Sequence, residues 1–123
     1  MNSKAKGKRG ELEIAQILRN QGFKGARRTA QYCGNTGDAS DITGIDGLHI
    51  EVKRSEQFSD EKALQQAERD ARKNELPIVF HRRSGEKWKV TFREDAWAMI
   101  WNELSDRQID NIKTKMRFKN GTK

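Results

Sequence analysis

Apolar positions recur along this chain at two different periods, and the changes of period mark its elements. From about Lys8 to Gln21, residues Leu12, Ile14, Ala15, Ile17 and Leu18 fall at helical spacing, and Gly22 is a natural stop. A short strand is predicted near Arg27 to Gln31, followed by a loop at Cys33 to Ala39. Asp41 to Thr43 and Leu48 to Lys53 alternate as the arms of a hairpin, with Gly44 and the Asp46-Gly47 turn pair between them. Ser59 or Asp60 caps a helix reaching about Asn74. Pro77 stands at the start of a strand, Ile78 to Arg82. Ser84-Gly85 then turns the chain into a strand from Trp88 to Phe92. A helix from about Glu94 to Leu104 carries Trp97, Ile100, Trp101 and Leu104 at helical spacing. These tryptophans read as core or dimer contacts rather than as a base-stacking platform. A last amphipathic turn or two follows Ser105, with Ile109, Ile112 and Met116 on one side. The order is helix, three strands, helix, two strands, helix, which is a mixed α/β layer fold around a central sheet.

The chain has 123 residues, which predicts one domain, with residues 1–7 and 118–123 as flexible basic tails. It is 33% hydrophobic and 35% charged, so the core is small and the surface heavily charged. Five Phe and three Trp still supply enough apolar bulk to argue against wholesale disorder. The net charge is +7, and it is uneven. Lys4, Lys6, Lys8, Arg9, Arg19, Lys24, Arg27 and Arg28 oppose only Glu11 and Glu13 in the first 33 residues, and the C-terminal end is basic too. A polyanion partner accounts for this through counterion release; a merely solvated surface is the alternative. The single cysteine, Cys33, excludes an intramolecular disulfide and any Cys-rich zinc module. With no membrane-length apolar run and no signal-peptide pattern, a cytoplasmic protein with no membrane contact is expected.

The chemistry concentrates in "SDITGIDGLHIEVKRS", residues 40–55. Alternate strand residues share a face, so His49, Glu51 and Lys53 point opposite to Ile50 and Val52. Asp41 lies on the partner strand at the same end. Two carboxylates beside an ammonium suit metal-dependent phosphodiester cleavage: hard oxygens hold Mg²⁺, and the lysine offsets charge at phosphorus. Glu11 falls within the apolar stripe of the first helix, where a lone carboxylate is costly. It needs either a metal or an Arg or Lys partner from the sheet. Glu13 falls on the polar side. Asp38 and Asp46 read as turn residues. His49 reads as a supporting or DNA-facing residue.

The segments "RGELEIAQIL", "SDITGIDGLHIEVKRS", "ALQQAERDA" and "PIVFHRRSGEKWKVTF" resemble the PD-(D/E)XK nucleases. More narrowly, they resemble small phage endonucleases of Holliday-junction-resolvase type, over about Lys8 to Trp97. The resemblance implies a restriction-endonuclease-like fold: a central mixed sheet flanked by helices. It implies that Asp41, Glu51 and the Val52 carbonyl hold Mg²⁺, with Mn²⁺ as a substitute. Lys53 is then the catalytic lysine, Glu11 the first-helix carboxylate reaching the metal or its water, and Gln66 the glutamine of the next helix, with Gln65 competing. Ser40 stands where the family has proline. DNA contacts are expected from Lys8, Arg9, Arg27 and Arg28, and from His81, Arg82 and Arg83, whose alternative is a basic surface patch. The expected substrate is branched DNA such as a four-way junction, cut by a homodimer of a phage-encoded protein in a bacterial host. A restriction-type, nicking or flap nuclease, or a non-catalytic DNA-binding protein of the same fold, stands as the alternative.

Overall fold

The computed structural model describes residues 3–29 and 40–120. Its elements are α1 (Ser3–Asn20), β1 (Arg27–Arg28), β2 (Ile42–Thr43), β3 (Leu48–Arg54), α2 (Asp60–Asp70), β4 (Leu76–Arg82), β5 (Lys89–Thr91), α3 (Glu94–Asn102) and α4 (Asp106–Lys119). The strands form one sheet in the order β1-β2-β3-β4-β5. Neighbours are antiparallel except β3 and β4, which run parallel from Leu48 opposite Leu76 to Arg54 opposite Arg82. A parallel pair needs a crossover, and α2 supplies it. The expected restriction-endonuclease-like arrangement, a mixed sheet with helices packed on it, is what the chain adopts.

Each face of the sheet has its own helix. Ile14, Ala15 and Leu18 of α1 pack with Ile42, Ile50 and Val52. Ala63, Leu64 and Ala67 of α2 pack with Val79, against which Phe58 also lies. Covered on both sides, β3 is buried from His49 to Val52, polar residues included. The β2–β3 turn is fixed by Gly44 and Gly47, with φ of 90° and 85°. At Gly44 a Cβ would also run into the Gly25 carbonyl, so any side chain there would push the hairpin off the segment leading into β1.

Several boundaries differ from those expected. Helix α1 starts at Ser3, not Lys8, so residues 3–7 form its first turns instead of a loose tail. Helix α2 stops at Asp70, where Ala71 turns extended, and not at Asn74. The turn or two after Ser105 is a 14-residue helix, opened by a capping box between Ser105 and Gln108, and it carries Phe118 and Lys119 as well. The expected strand toward Gln31 appears as Arg27–Arg28, with Thr29 already outside it; residues 30–31, and the Cys33 to Ala39 loop with Asp38, lie outside the described residues. The chain divides into two compact units, Met1–Phe92 and Arg93–Lys123. In the second, Trp97 stacks on Trp101 with centroids 5.1 Å apart, and Trp97 is 51% exposed.

Candidate active site

Asp41 sits where β2 begins. Its N–H donates to the Ile50 carbonyl at 2.8 Å, and its carbonyl accepts from the Thr29 N–H at 2.9 Å. Ile42 pairs with Ile50, which brings Asp41, one residue before β2, beside the Ile50–Val52 stretch of β3. Asp41 Oδ2 accepts from the Val52 N–H at 2.8 Å. Before it, where the resembled family has proline, the Ser40 hydroxyl donates to the Ile42 carbonyl at 2.7 Å and shapes the turn instead. Burial pushes the Asp41 carboxyl up to about 7, with Glu51 and Glu11 adding to the rise and the Val52 N–H and Lys53 opposing it.

Glu51 is only 3% exposed. Its Oε2 lies 2.7 Å from His49 Nε2, which donates to it. His49 is itself 1% exposed, so it lies in the core and not on a DNA-facing surface. Burial alone would lower this imidazole, but the Glu51 hydrogen bond and the charges of Glu51, Glu75 and Asp70 lift it above its ordinary value. Lys53 follows on the same face and donates from Nζ to Gln66 Oε1 at 3.2 Å. Gln65 turns away, donating to Glu61 at 2.9 Å, so the structure brings Gln66 and not Gln65 to the lysine. A groove of about 510 Å³ opens beside Lys53 and Gln66, lined also by Ser55, Phe58 and Lys62.

Glu11 accepts from Arg28 Nε at 2.6 Å. The sheet therefore supplies the cation that this partly buried helix carboxylate required, and Glu11 remains close enough to act on Asp41. Arg28 is thus an ion-pair partner within the protein. Arg27, Lys8 and Arg9 are exposed. The run His81-Arg82-Arg83 is divided by strand alternation. His81 bonds Thr91 Oγ1 at 2.7 Å and stacks on Phe58 at 4.4 Å. Arg82 goes to the other face, where it pairs with Glu13 at 2.9 Å and lies over Trp88. Arg83 is exposed, with Nε on the Glu56 carbonyl at 3.1 Å. Glu13, expected on the polar side, accepts from both Arg82 and the Trp88 indole.

Asp41, Glu51 and Glu11 offer the carboxylate oxygens that a divalent cation takes, and their charges act on one another. Asp41 is held toward its protonated form partly by Glu51 and Glu11, and such mutually repelling carboxylates are what a bound cation relieves. A second donor set overlaps the first: one ligand atom each of His49, Glu51 and Asp70 lies within 4.8 Å of the others. Glu51 belongs to both. Asp70 and Glu75 escaped the sequence reading because the crossover brings them beside His49 from more than twenty residues away.

The sheet order and a hairpin bearing two acids and a lysine define a nuclease of the PD-(D/E)XK class. The chain belongs to the family described as "Phage putative PDDEXK endonuclease", whose model matches residues 2–123. Nucleic acid is the substrate class of such enzymes, and they generally depend on divalent metal. Among solved structures, the chain is similar to Hjc of Archaeoglobus fulgidus, a Holliday junction resolvase from an archaeal hyperthermophile. The two are 22% identical with a TM-score of 0.46, over 70% of this chain and 76% of that one. No curated protein matches it. Among the described residues, no helix is long and apolar enough to cross a membrane.

Proposed function

We propose that this protein is a Mg²⁺-dependent DNA endonuclease that cuts branched DNA, such as a four-way junction, as a homodimer. The observation that carries the reading is Asp41 at the foot of the β2–β3 hairpin, bonded to Ile50 and Val52 and within the electrostatic reach of Glu51 and Lys53. Asp41, Glu51 and the Val52 carbonyl would hold the cation, with Glu11 reaching toward it. Once bound, the ion supplies Lewis-acid polarisation of the scissile phosphate and a more acidic water. Lys53 brings a positive charge to the phosphoryl oxygens as negative charge builds there. Gln66 holds the Lys53 ammonium in place through its Oε1. A water oxygen would attack phosphorus in line; as that P–O bond forms, the bond to the 3′-oxygen breaks, and the water's protons end on the 3′-hydroxyl and in solvent, leaving a 5′-phosphate. Exposed Lys8, Arg9, Arg27 and Arg83 supply backbone contacts along the duplex arms.

The preference for a junction rests on the sequence resemblance to resolvase-type phage endonucleases. Paired nicks in a two-fold junction call for two active sites, hence two copies. The exposed Trp97, Met99 and Ile100 of α3 are apolar surface that a second copy would cover. The test is cleavage in Mg²⁺ of a labelled four-way junction beside a linear duplex of the same sequence, with Glu51→Ala and Lys53→Ala proteins in parallel. Paired nicks in the junction alone, lost in both variants, support the proposal. Equal cutting of the duplex keeps a restriction-type or nicking enzyme and discards the resolvase. Binding without any cutting points to a non-catalytic DNA-binding protein. Light scattering at micromolar concentration settles whether the species is a dimer.

A further inference from the structure

His49 is the most deeply buried polar residue that the proposed mechanism leaves unused. It is 1% exposed, in the middle of the sheet, one alternation before Glu51. Both ring nitrogens face carboxylates. Nε2 is 2.7 Å from Glu51 Oε2, and Nδ1 is 3.8 Å from Glu75 Oε1. The first is a hydrogen bond; the second is too long for one and is a charge contact. Glu75 is itself held. Its Oε1 accepts from the Arg72 N–H at 2.8 Å, while its N–H donates to the Arg72 carbonyl at 3.0 Å. The turn before β4 therefore presents a fixed carboxylate to the far side of the imidazole.

A glutamate on a strand has three side-chain torsions, and a cation needs them set to one arrangement. Here a rigid ring locked in the core commits Oε2 and leaves Oε1 for the cation. The second nitrogen cannot swing away, because the ring has no solvent to turn into. We propose that His49 is a positioning residue: braced by Glu75, it fixes the orientation in which Glu51 meets a divalent cation. This rests on the reading of Glu51 as a metal ligand. In this reading His49 is not itself a ligand, because its Nε2 is committed to Glu51; His49, Glu51 and Asp70 also lie close enough together to share a cation, and the variants below separate the two roles.

The test uses the full chain and Mn²⁺ alone, followed by calorimetry, with near-UV circular dichroism to establish the fold. Gln at position 49 places an amide N–H where Nε2 was; Asn places one where Nδ1 was. His49→Gln is expected to bind Mn²⁺ within about threefold of wild type, whereas His49→Asn and His49→Leu bind about tenfold or more weakly, as losing a ligand's orienting partner generally costs. Glu75→Gln should weaken binding by a smaller factor. In the cleavage assay, the Mn²⁺ concentration giving half the maximal rate should shift by the same factor, with kcat at saturating metal moving less. If His49→Leu does not fold, the Gln and Asn pair decides, since both are polar and similar in size. Equal weakening by Gln, Asn and Leu would make His49 a ligand and overturn the proposal. Wild-type affinity in folded His49→Asn would also overturn it, by leaving His49 a mere core residue. A wild-type protein that binds no Mn²⁺, unchanged by Glu51→Gln, would bring down the nuclease reading itself.

Discussion

The two sides of β3 are built on different principles. Toward α1 the strand offers Ile50 and Val52 to Ile14, Ala15 and Leu18, and the polar partners on that side, Glu11 with Arg28 and Glu13 with Arg82 and Trp88, are supplied by other elements than β3. Toward α2 it offers His49, Glu51 and Lys53, where apolar packing comes from the small group Ala63, Leu64, Ala67 and Val79. On the first side burial alone stabilises, at about 1.5–3 kcal/mol for a fully buried Ile or Val. On the second, the buried Glu51 and the partly buried Lys53 and Asp41 each have a named partner: His49 for Glu51, Gln66 for Lys53, the Val52 N–H for Asp41. One face sets where the strand lies. The other spends part of that stability on a set of charges that a ligand can relieve.

Adjacent residues therefore offer a sharp way to break the comparison. Glu51→Gln should leave folding nearly intact and lower the single-turnover cleavage rate by about a thousandfold, roughly 4 kcal/mol in the barrier. A Glu51→Gln protein cutting at the wild-type rate would remove the active site from this face. One position away, Ile50→Ala should do the reverse. It should destabilise by about 3 kcal/mol in urea titration, while the protein that stays folded cuts nearly normally.

Asp41 sharpens the contrast through pH. Its folded-state value of about 7 lies above the ordinary 3.8, so the folded protein holds this proton more tightly than the unfolded chain does. The associated stability is fully present below about pH 4 and lost as pH rises through 7. Metal-free wild type should accordingly lose Tm relative to Asp41→Asn between pH 4 and pH 8. Saturating Mg²⁺ should restore the loss in wild type, and more at pH 8 than at pH 5. Parallel Tm profiles for the two proteins would contradict the crowding of charge described at this site. The smallest effect belongs to the glutamines. Gln66→Ala should slow cleavage by about tenfold, or 1.4 kcal/mol, and Gln65→Ala should not change it.

The sequence disclosed the site's frame better than its depth. The Asp46-Gly47 turn and the alternation of β3 were enough to put Asp41, Glu51 and Lys53 together, because hairpin register is local. Gln66 and Gln65 stayed equivalent until α2 was docked, since one residue of helical rotation separates pointing at Lys53 from pointing at Glu61. His49 was legible as a face-mate of Glu51, but its burial depends on parallel pairing with β4. Its neighbour Glu75 arrives only through the crossover. Glu13 looked solvent-facing on α1 alone; Arg82 and Trp88, some seventy residues on, make it a structural acceptor. Helix α4 was under-read although its start was written out, since Ser105 and Gln108 have the spacing of a capping box. The lysines near the N-terminus suggested a loose tail, yet the chain there is already helical.

The outermost strands bear on how this protein avoids sticking to itself. Within the described residues β1 is two residues long, both arginine, and β5 is three, beginning with a lysine. An unpaired strand edge is a template for another chain's backbone, and short, positively charged edges are a known defence. Two copies adding edge to edge would set arginine against arginine or lysine against lysine. Runaway sheet extension, the usual hazard of an open five-stranded sheet, has little described backbone to grow on at either edge. Strands from a second molecule find little described ladder to continue, while the exposed Arg27 can meet a polyanion without needing a backbone match.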